Sequence, residues 1–140
     1  MLAGLAFGSL VALPSLAGGI ANSAVERGRD LFVGREPLTG KLRHHRNDLP
    51  AEVVACANCH SLGREAARGA RAPRLERALL LQARPRRGGP PSAYDERSFC
   101  KLLRTGIDPA HVLIAREMPV YRTDDAQCQS LWRFLTQRSP

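Results

Sequence analysis

The chain has 140 residues, which gives room for one domain. Its formal net charge is +8, with Lys41 and Lys101 as the only lysines among many arginines. A basic balance of this kind fits nucleic acid, an anionic membrane or an acidic protein as a partner. The four cysteines suit an oxidising compartment.

The first 21 residues are predicted to be a secretory signal peptide. No charged side chain occurs between Met1 and Val25, and the segment is rich in leucine and small residues. An uncleaved membrane anchor is the alternative, but it needs about 20 unbroken apolar residues, and Pro14 and Gly18-Gly19 interrupt this run.

The first helix of the mature chain is predicted over residues 24–33, with Ser23 as its N-cap. Gly28 lies inside it, where glycine costs about 1 kcal/mol relative to alanine. We therefore expect another helix to approach closely at Gly28. Phe32 lies one turn further on, on the same face.

Two stretches around the centre of the chain are predicted to be exposed loops, residues 34–50 and 61–69, and residues 88–91 form a turn. His44 and His45 in the first loop are interpreted as solvated side chains. Arginines recur further along the chain, but Pro73 interrupts their helical spacing, and aromatic residues are scarce. This pattern favours a surface that faces a protein partner and argues against nucleic-acid binding.

The most informative stretch is Cys56-Ala57-Asn58-Cys59-His60, at the end of a short helix predicted over residues 51–60. Two cysteines spaced by two residues and followed by histidine are the attachment pattern for a c-type haem. A zinc site would need two further ligands at short spacing, and Cys100 and Cys128 are isolated. A thioredoxin-like dithiol would follow a buried strand in a βαβ unit, which the flanks do not show.

Two further helices are predicted over residues 92–105 and 123–137, capped by Ser92 and Thr123. Gly106 ends the first of them. The last helix carries an apolar stripe at helical spacing, formed by Cys128, Leu131, Trp132 and Leu135 and widened by Phe134.

The order of these features resembles the class I cytochromes c, which are monohaem periplasmic electron carriers. The specific parts of the resemblance are the Cys56–His60 motif and Met118-Pro119-Val120-Tyr121, and it covers about residues 25–135. It implies that residues 22–140 form one cytochrome c domain. The implied fold is all-α, the cytochrome c fold, with three to five helices around one covalently attached haem. Its N- and C-terminal helices would pack across each other, near Gly28 and Leu131.

The same resemblance implies a set of residues for one haem c. Cys56 and Cys59 would form thioethers to the porphyrin, His60 would be the proximal iron ligand and Met118 the distal one. A His/Met pair favours ferrous iron and a higher potential than two histidines. His111, in the loop before Met118, is the alternative distal ligand.

A backbone carbonyl is expected to orient the ring of His60. By position, Pro73 matches the proline whose carbonyl accepts the proximal histidine's ring N–H in the family, and Pro85 and Pro90 are its competitors. Such a bond fixes the tautomer and the direction of the ring.

Cys100 and Cys128 depart from the simplest family pattern, and each falls on the apolar side of its helix. We predict a disulfide between them, which would stabilise the domain by on the order of 3–4 kcal/mol. Two free buried thiols are the alternative.

These features predict a periplasmic c-type cytochrome that is not an enzyme. It would carry single electrons from a dehydrogenase-type donor to an oxidase-type acceptor. Its partners would be redox proteins with an acidic docking surface, not nucleic acid, and a membrane only if the N-terminal segment is uncleaved. The alternatives are a haem-bearing subunit of a larger oxidoreductase complex and a five-coordinate haem peroxidase or sensor.

Overall fold

The computed structural model of the chain describes residues 16–62 and 72–137. Most of the predicted signal peptide, residues 1–15, lies outside them, as does most of the predicted loop at 61–69. The described residues form five α-helices, one short 3-10 helix and two strands. In chain order these are α1 (Leu16–Val33), β1 (Gly40–Lys41), α2 (Ala51–Val54), the 3-10 helix (Cys56–Asn58), α3 (Arg77–Leu81), α4 (Glu96–Thr105), β2 (Val120–Tyr121) and α5 (Asp125–Gln137).

The predicted all-α cytochrome c fold is wrong, because the described residues include a two-stranded antiparallel sheet alongside the helices. Gly40 pairs with Tyr121 and Lys41 with Val120. The sheet can form because Gly40 has no side chain: a Cβ there would lie 2.9 Å from Cγ2 of Val54. The predicted loop at 34–50 is therefore only partly a loop.

The core is organised by the contact between α1 and α5. Gly28 lies against the backbone of Ser130, and the rings of Phe32 and Phe134 are 5.7 Å apart. Leucines from both helices are almost fully buried around this contact. The largest buried side chains are Phe32, Leu31, Leu131, Leu135, Val54 and Cys128.

Three helix N-termini differ from the predicted ones. Helix α1 begins at Leu16, so Ser23 lies inside it and does not cap it. Helix α4 is capped by Asp95 rather than Ser92: its carboxylate accepts from the amide of Ser98 at 2.7 Å, and the Ser98 hydroxyl accepts from the amide of Asp95. Gly106, with φ of 71°, ends α4 as predicted.

Helix α5 begins at Asp125, two residues after the predicted start at 123, and uses Asp124 as its cap. The Asp124 carboxylate accepts a 2.6 Å hydrogen bond from the amide of Gln127, whose side chain accepts from the amide of Asp124. Thr123 instead offers its carbonyl to the guanidinium of Arg104. A carboxylate at the positive end of a helix is a stronger acceptor than a hydroxyl, which accounts for the difference.

Helix α4 is fastened to α5 in three ways. A disulfide joins Cys100 and Cys128, with their Cα atoms 5.8 Å apart. Phe99 packs on Trp132 with ring centroids 5.4 Å apart. At the end of α4, Arg104 reaches the first residue of α5, Asp125. The short helix α3, which the sequence did not predict, adds Leu80 to the core.

Candidate cofactor site

The Cys56–His60 motif does not continue the preceding helix, contrary to the prediction of one helix over residues 51–60. Helix α2 ends at Val54, Ala55 is extended with ψ of 133°, and a tight 3-10 turn follows. The carbonyl of Cys56 accepts from the amides of Cys59 and His60, at 3.2 and 2.9 Å. The turn therefore presents both thiols and the imidazole within five consecutive residues.

Asn58 explains why the chain turns here. Its side-chain amide donates to the carbonyls of Glu52 and Val53, at 2.7 and 2.9 Å. These carbonyls lie in the last turn of α2, where no helical amide is left to bond them. Asn58, the second of the two residues between the cysteines, thus closes α2 and fixes the path of the motif.

The two motif cysteines are free thiols in different surroundings. Cys59 is exposed and Cys56 is partly buried. Burial raises the pKa of the Cys56 thiol to about 11. A reactive thiol needs the opposite, a lowered pKa that populates the thiolate, so Cys56 lacks the activation of a redox cysteine.

His60 is held by the carbonyl of Pro73. The side chain is 9% exposed, and its Nδ1 atom lies 2.8 Å from that oxygen. Because a carbonyl can only accept, Nδ1 must carry the proton, which leaves the lone pair on Nε2. Burial lowers the pKa of His60, although the Pro73 carbonyl opposes this shift. The lowered pKa favours the neutral imidazole with its lone pair on Nε2, which is the form that binds metals.

Tyr121 brings a segment distant in sequence against the motif. Met118 is partly buried and packs on the core. The hydroxyl of Tyr121, a residue only 5% exposed, donates to the carbonyl of Val54 at 3.0 Å and hydrogen-bonds the thiol of Cys56. Burial raises the pKa of Tyr121, so the hydroxyl stays protonated as a donor. Tyr121, three residues after Met118, therefore lies directly against the motif.

Partly buried apolar side chains pack against the core, and such side chains suit contact with a large apolar cofactor. They include Cys56, Leu62, Leu75, Tyr94, Met118 and Trp132. The donor set also fits haem c: two free thiols, one imidazole nitrogen and one thioether sulfur.

The other candidate ligands lie away from such a setting. His44, His45 and His111 are exposed, and His44 and His111 have positive φ angles in turns. No group of three His, Cys, Asp or Glu side chains converges as a metal site within residues 16–62 and 72–137. Two surface depressions, of about 650 and 270 Å³, are lined by neither the motif residues nor Met118.

Arg43 makes long-range contacts that the sequence did not indicate. It belongs to the predicted exposed loop at 34–50, yet it is partly buried and contacts residues that are more than 60 positions away in sequence. Its Nη1 donates to the carbonyl of Gly106 at 3.3 Å and its Nη2 to the carbonyl of Ile114. No sequence signal marks it, because both acceptors are backbone atoms.

No family model, curated protein or solved structure matches this chain. Among the described helices, none combines the length and the apolar character that a membrane span requires.

Proposed function

We propose that this chain is a monohaem c-type electron carrier, of the kind found in the class I cytochromes c that its motifs resemble. One observation carries the proposal. The histidine directly after a Cys-x-x-Cys pair is buried, and its Nδ1 is committed to the Pro73 carbonyl at 2.8 Å. This arrangement leaves one directed nitrogen for an axial iron bond, which an ordinary core histidine would not need.

Four side chains would hold the group. Cys56 and Cys59 would form the thioether bonds, and His60 and Met118 would be the axial ligands. Haem c, when bound, supplies an iron centre that exchanges one electron. A thioether opposite an imidazole favours the ferrous state and a relatively high potential. If His60 and Met118 both bind the iron, no iron position would remain for a substrate, so we propose electron transfer without enzymatic activity.

The remaining residues of the site orient these ligands and exclude water. Pro73 fixes the imidazole ring, and the Tyr121 hydroxyl anchors the Met118–Tyr121 segment to the backbone of Val54. Apolar side chains around a bound haem would lower the local dielectric, which would destabilise the more highly charged ferric state.

The partner is proposed to be a redox protein with an acidic docking surface. The net charge of +8 favours encounter with an acidic dehydrogenase-type donor and an acidic oxidase-type acceptor. Salt screens such attraction, so the rate of electron exchange should fall as ionic strength rises. The Cys100–Cys128 disulfide supports an oxidising compartment, and we propose the periplasm.

The test is the visible spectrum of the protein produced with a c-type haem maturation system. We expect a covalently bound haem, a weak red band in the ferric state that marks a sulfur–iron bond, and a one-electron redox titration. Cys56→Ser with Cys59→Ser should lose covalent haem, whereas Ala57→Ser, at an exposed position in the same turn, should keep it.

Two results would contradict the proposal. A protein without covalent haem is not a c-type cytochrome. A haem protein without the red band, which binds small ligands at the iron as isolated, would be the peroxidase or sensor instead.

A further inference from the structure

The segment between α1 and α2 is fastened to the chain on both sides of Met118. We call residues 38–49 the clamp segment and residues 106–119 the ligand loop. On the C-terminal side of the ligand loop, β1 pairs with β2, and the amide of Arg122 donates to the carbonyl of Thr39 at 2.8 Å. An ion pair between Asp48 and Arg122 lies at the same junction.

On the N-terminal side, the ligand loop begins with a small closed hairpin. The amide of Ile114 donates to the carbonyl of Gly106 at 2.9 Å, and Asp108 and Val112 exchange hydrogen bonds at the tip. Arg43 donates to both carbonyls at the open end of this hairpin, those of Gly106 and Ile114. The guanidinium of Arg43 therefore links the two arms of the hairpin to each other and to the clamp segment.

The fit between Arg43 and the hairpin is close. A Cβ atom at Gly106 would lie 2.1 Å from Nη1 of Arg43, and the positive φ at Gly106 also disfavours other residues. Gly106 thus serves two purposes, since it ends α4 and admits the guanidinium.

We infer that Arg43 is a positioning residue for Met118: it fixes the N-terminal half of the ligand loop, so that the thioether stays on the iron. This inference rests on the proposed function. Only residues 115–119 separate the hairpin from β2, and a turn closes part of them, with the amide of Met118 donating to Ala115 at 3.2 Å. Without the hydrogen bonds of Arg43, residues 115–119 would be fixed to the clamp segment only on the side of β2.

Arginine suits this task better than lysine. Its planar guanidinium presents several donors in a rigid fork, which can reach two separate carbonyls at once. A lysine ammonium in the same place is a point donor on a flexible stem, and it would hold one carbonyl at a time.

The test compares Arg43→Gln, Arg43→Lys and the matched control Arg46→Gln, which removes an exposed arginine three residues away. The probe is imidazole, which competes with Met118 for ferric iron and abolishes the red band. We expect Arg43→Gln to bind imidazole about tenfold more tightly than the wild type, the effect of losing one hydrogen bond to a charged group. The imidazole affinity of Arg43→Lys should lie between those of Arg43→Gln and the wild type, and the affinity of Arg46→Gln should equal that of the wild type.

A second readout does not depend on the iron. Amide exchange of Ile114 and Val112 should accelerate in Arg43→Gln and stay unchanged in Arg46→Gln, while amides of α5 keep their protection. If Arg43→Gln shows the red band and the imidazole affinity of the wild type, the inference is overturned and the proposed function stands. A wild type without the red band overturns the Met118 assignment, and this inference with it.

Discussion

A Cβ atom on Gly28 would lie 2.0 Å from the carbonyl oxygen of Ser130, so the two helices that bear these residues touch backbone to backbone. The obstacle is a main-chain oxygen of α5, which cannot rotate away as a side chain can. The inferred reason for a glycine inside a helix, the close approach of another helix, is therefore visible in atomic detail.

We predict that Gly28→Ala lowers the free energy of unfolding by about 1–3 kcal/mol, because the overpacking cost exceeds the gain in helix propensity. Urea unfolding followed by circular dichroism measures it. Arg29→Ala, at the next and exposed position of α1, should change the value by less than about 0.5 kcal/mol. Equal stability of the two variants would mean that α1 and α5 separate at little cost.

Met118→Ala should abolish the red ferric band and open the iron to added imidazole, since no other sulfur of the ligand loop can replace it. The truncation of a partly buried methionine should also cost about 2 kcal/mol of stability. Leu113→Ala changes a side chain of the same loop that is 56% exposed, and it should retain the band. A band that survives Met118→Ala would assign the axial ligand elsewhere.

The disulfide gives a prediction that is independent of any cofactor. Its cysteines are 28 residues apart, and closing a loop of this length stabilises a fold by about 3–4 kcal/mol in the chain-entropy treatment. Cys100→Ser with Cys128→Ser should lower the unfolding free energy by this amount, measured without reductant. Adding a reductant to the wild type should reproduce the loss, and it should leave the double variant unchanged.

The capping box of α4 makes stability depend on pH. The hydrogen bonds from Ser98 hold the pKa of Asp95 below its ordinary value of 3.8. Because the pKa of Asp95 is lower in the folded state, its carboxylate stabilises the fold above pH 3.8. This contribution is lost as the pH falls through the pKa that Asp95 has in the folded protein.

Asp95→Ala should therefore cost about 1 kcal/mol at neutral pH, and the difference from wild type should shrink in acid. Asp95→Asn keeps an acceptor that does not ionise, so its difference from wild type should be small at neutral pH. Thermal melts across the acid range distinguish these profiles. A constant gap between Asp95→Ala and wild type down to the lowest pH would contradict the assignment.

The helices were predictable where an apolar period and a turn residue agree. Helix α5 carries its apolar stripe through Leu131 and Leu135, and Gly106 marks the end of α4. Their N-caps were mispredicted although a signal existed. Asp95 and Asp124 are each followed three positions later by a residue that returns the hydrogen bond, Ser98 and Gln127.

The sheet could not be predicted from the sequence, and the reason is physical. Strands of two residues are too short to show alternation, and their pairing joins Gly40 to Tyr121, far apart along the chain. Without that pairing, residues 34–50 look like any polar loop, so the all-α expectation failed there.

The candidate site also has residues that the sequence predicts and one that it does not. The Cys56–His60 motif can be recognised from the types and spacing of its side chains. The carbonyl that accepts from His60 is that of Pro73, the proline that the sequence analysis preferred over Pro85 and Pro90. Arg43 could not be found, because its partners are the carbonyls of Gly106 and Ile114, which any residue would offer.

The two cysteine pairs set a problem of biogenesis. Cys100 and Cys128 are bonded, and under the proposed function Cys56 and Cys59 would have to stay reduced until the thioethers form. Maturation would then have to oxidise one pair and spare the other within the same polypeptide. Docking of α4 on α5 places Cys128 out of reach of solvent, while Cys59 stays accessible. Helix docking before cofactor ligation would sort the four sulfurs without a dedicated proofreading step.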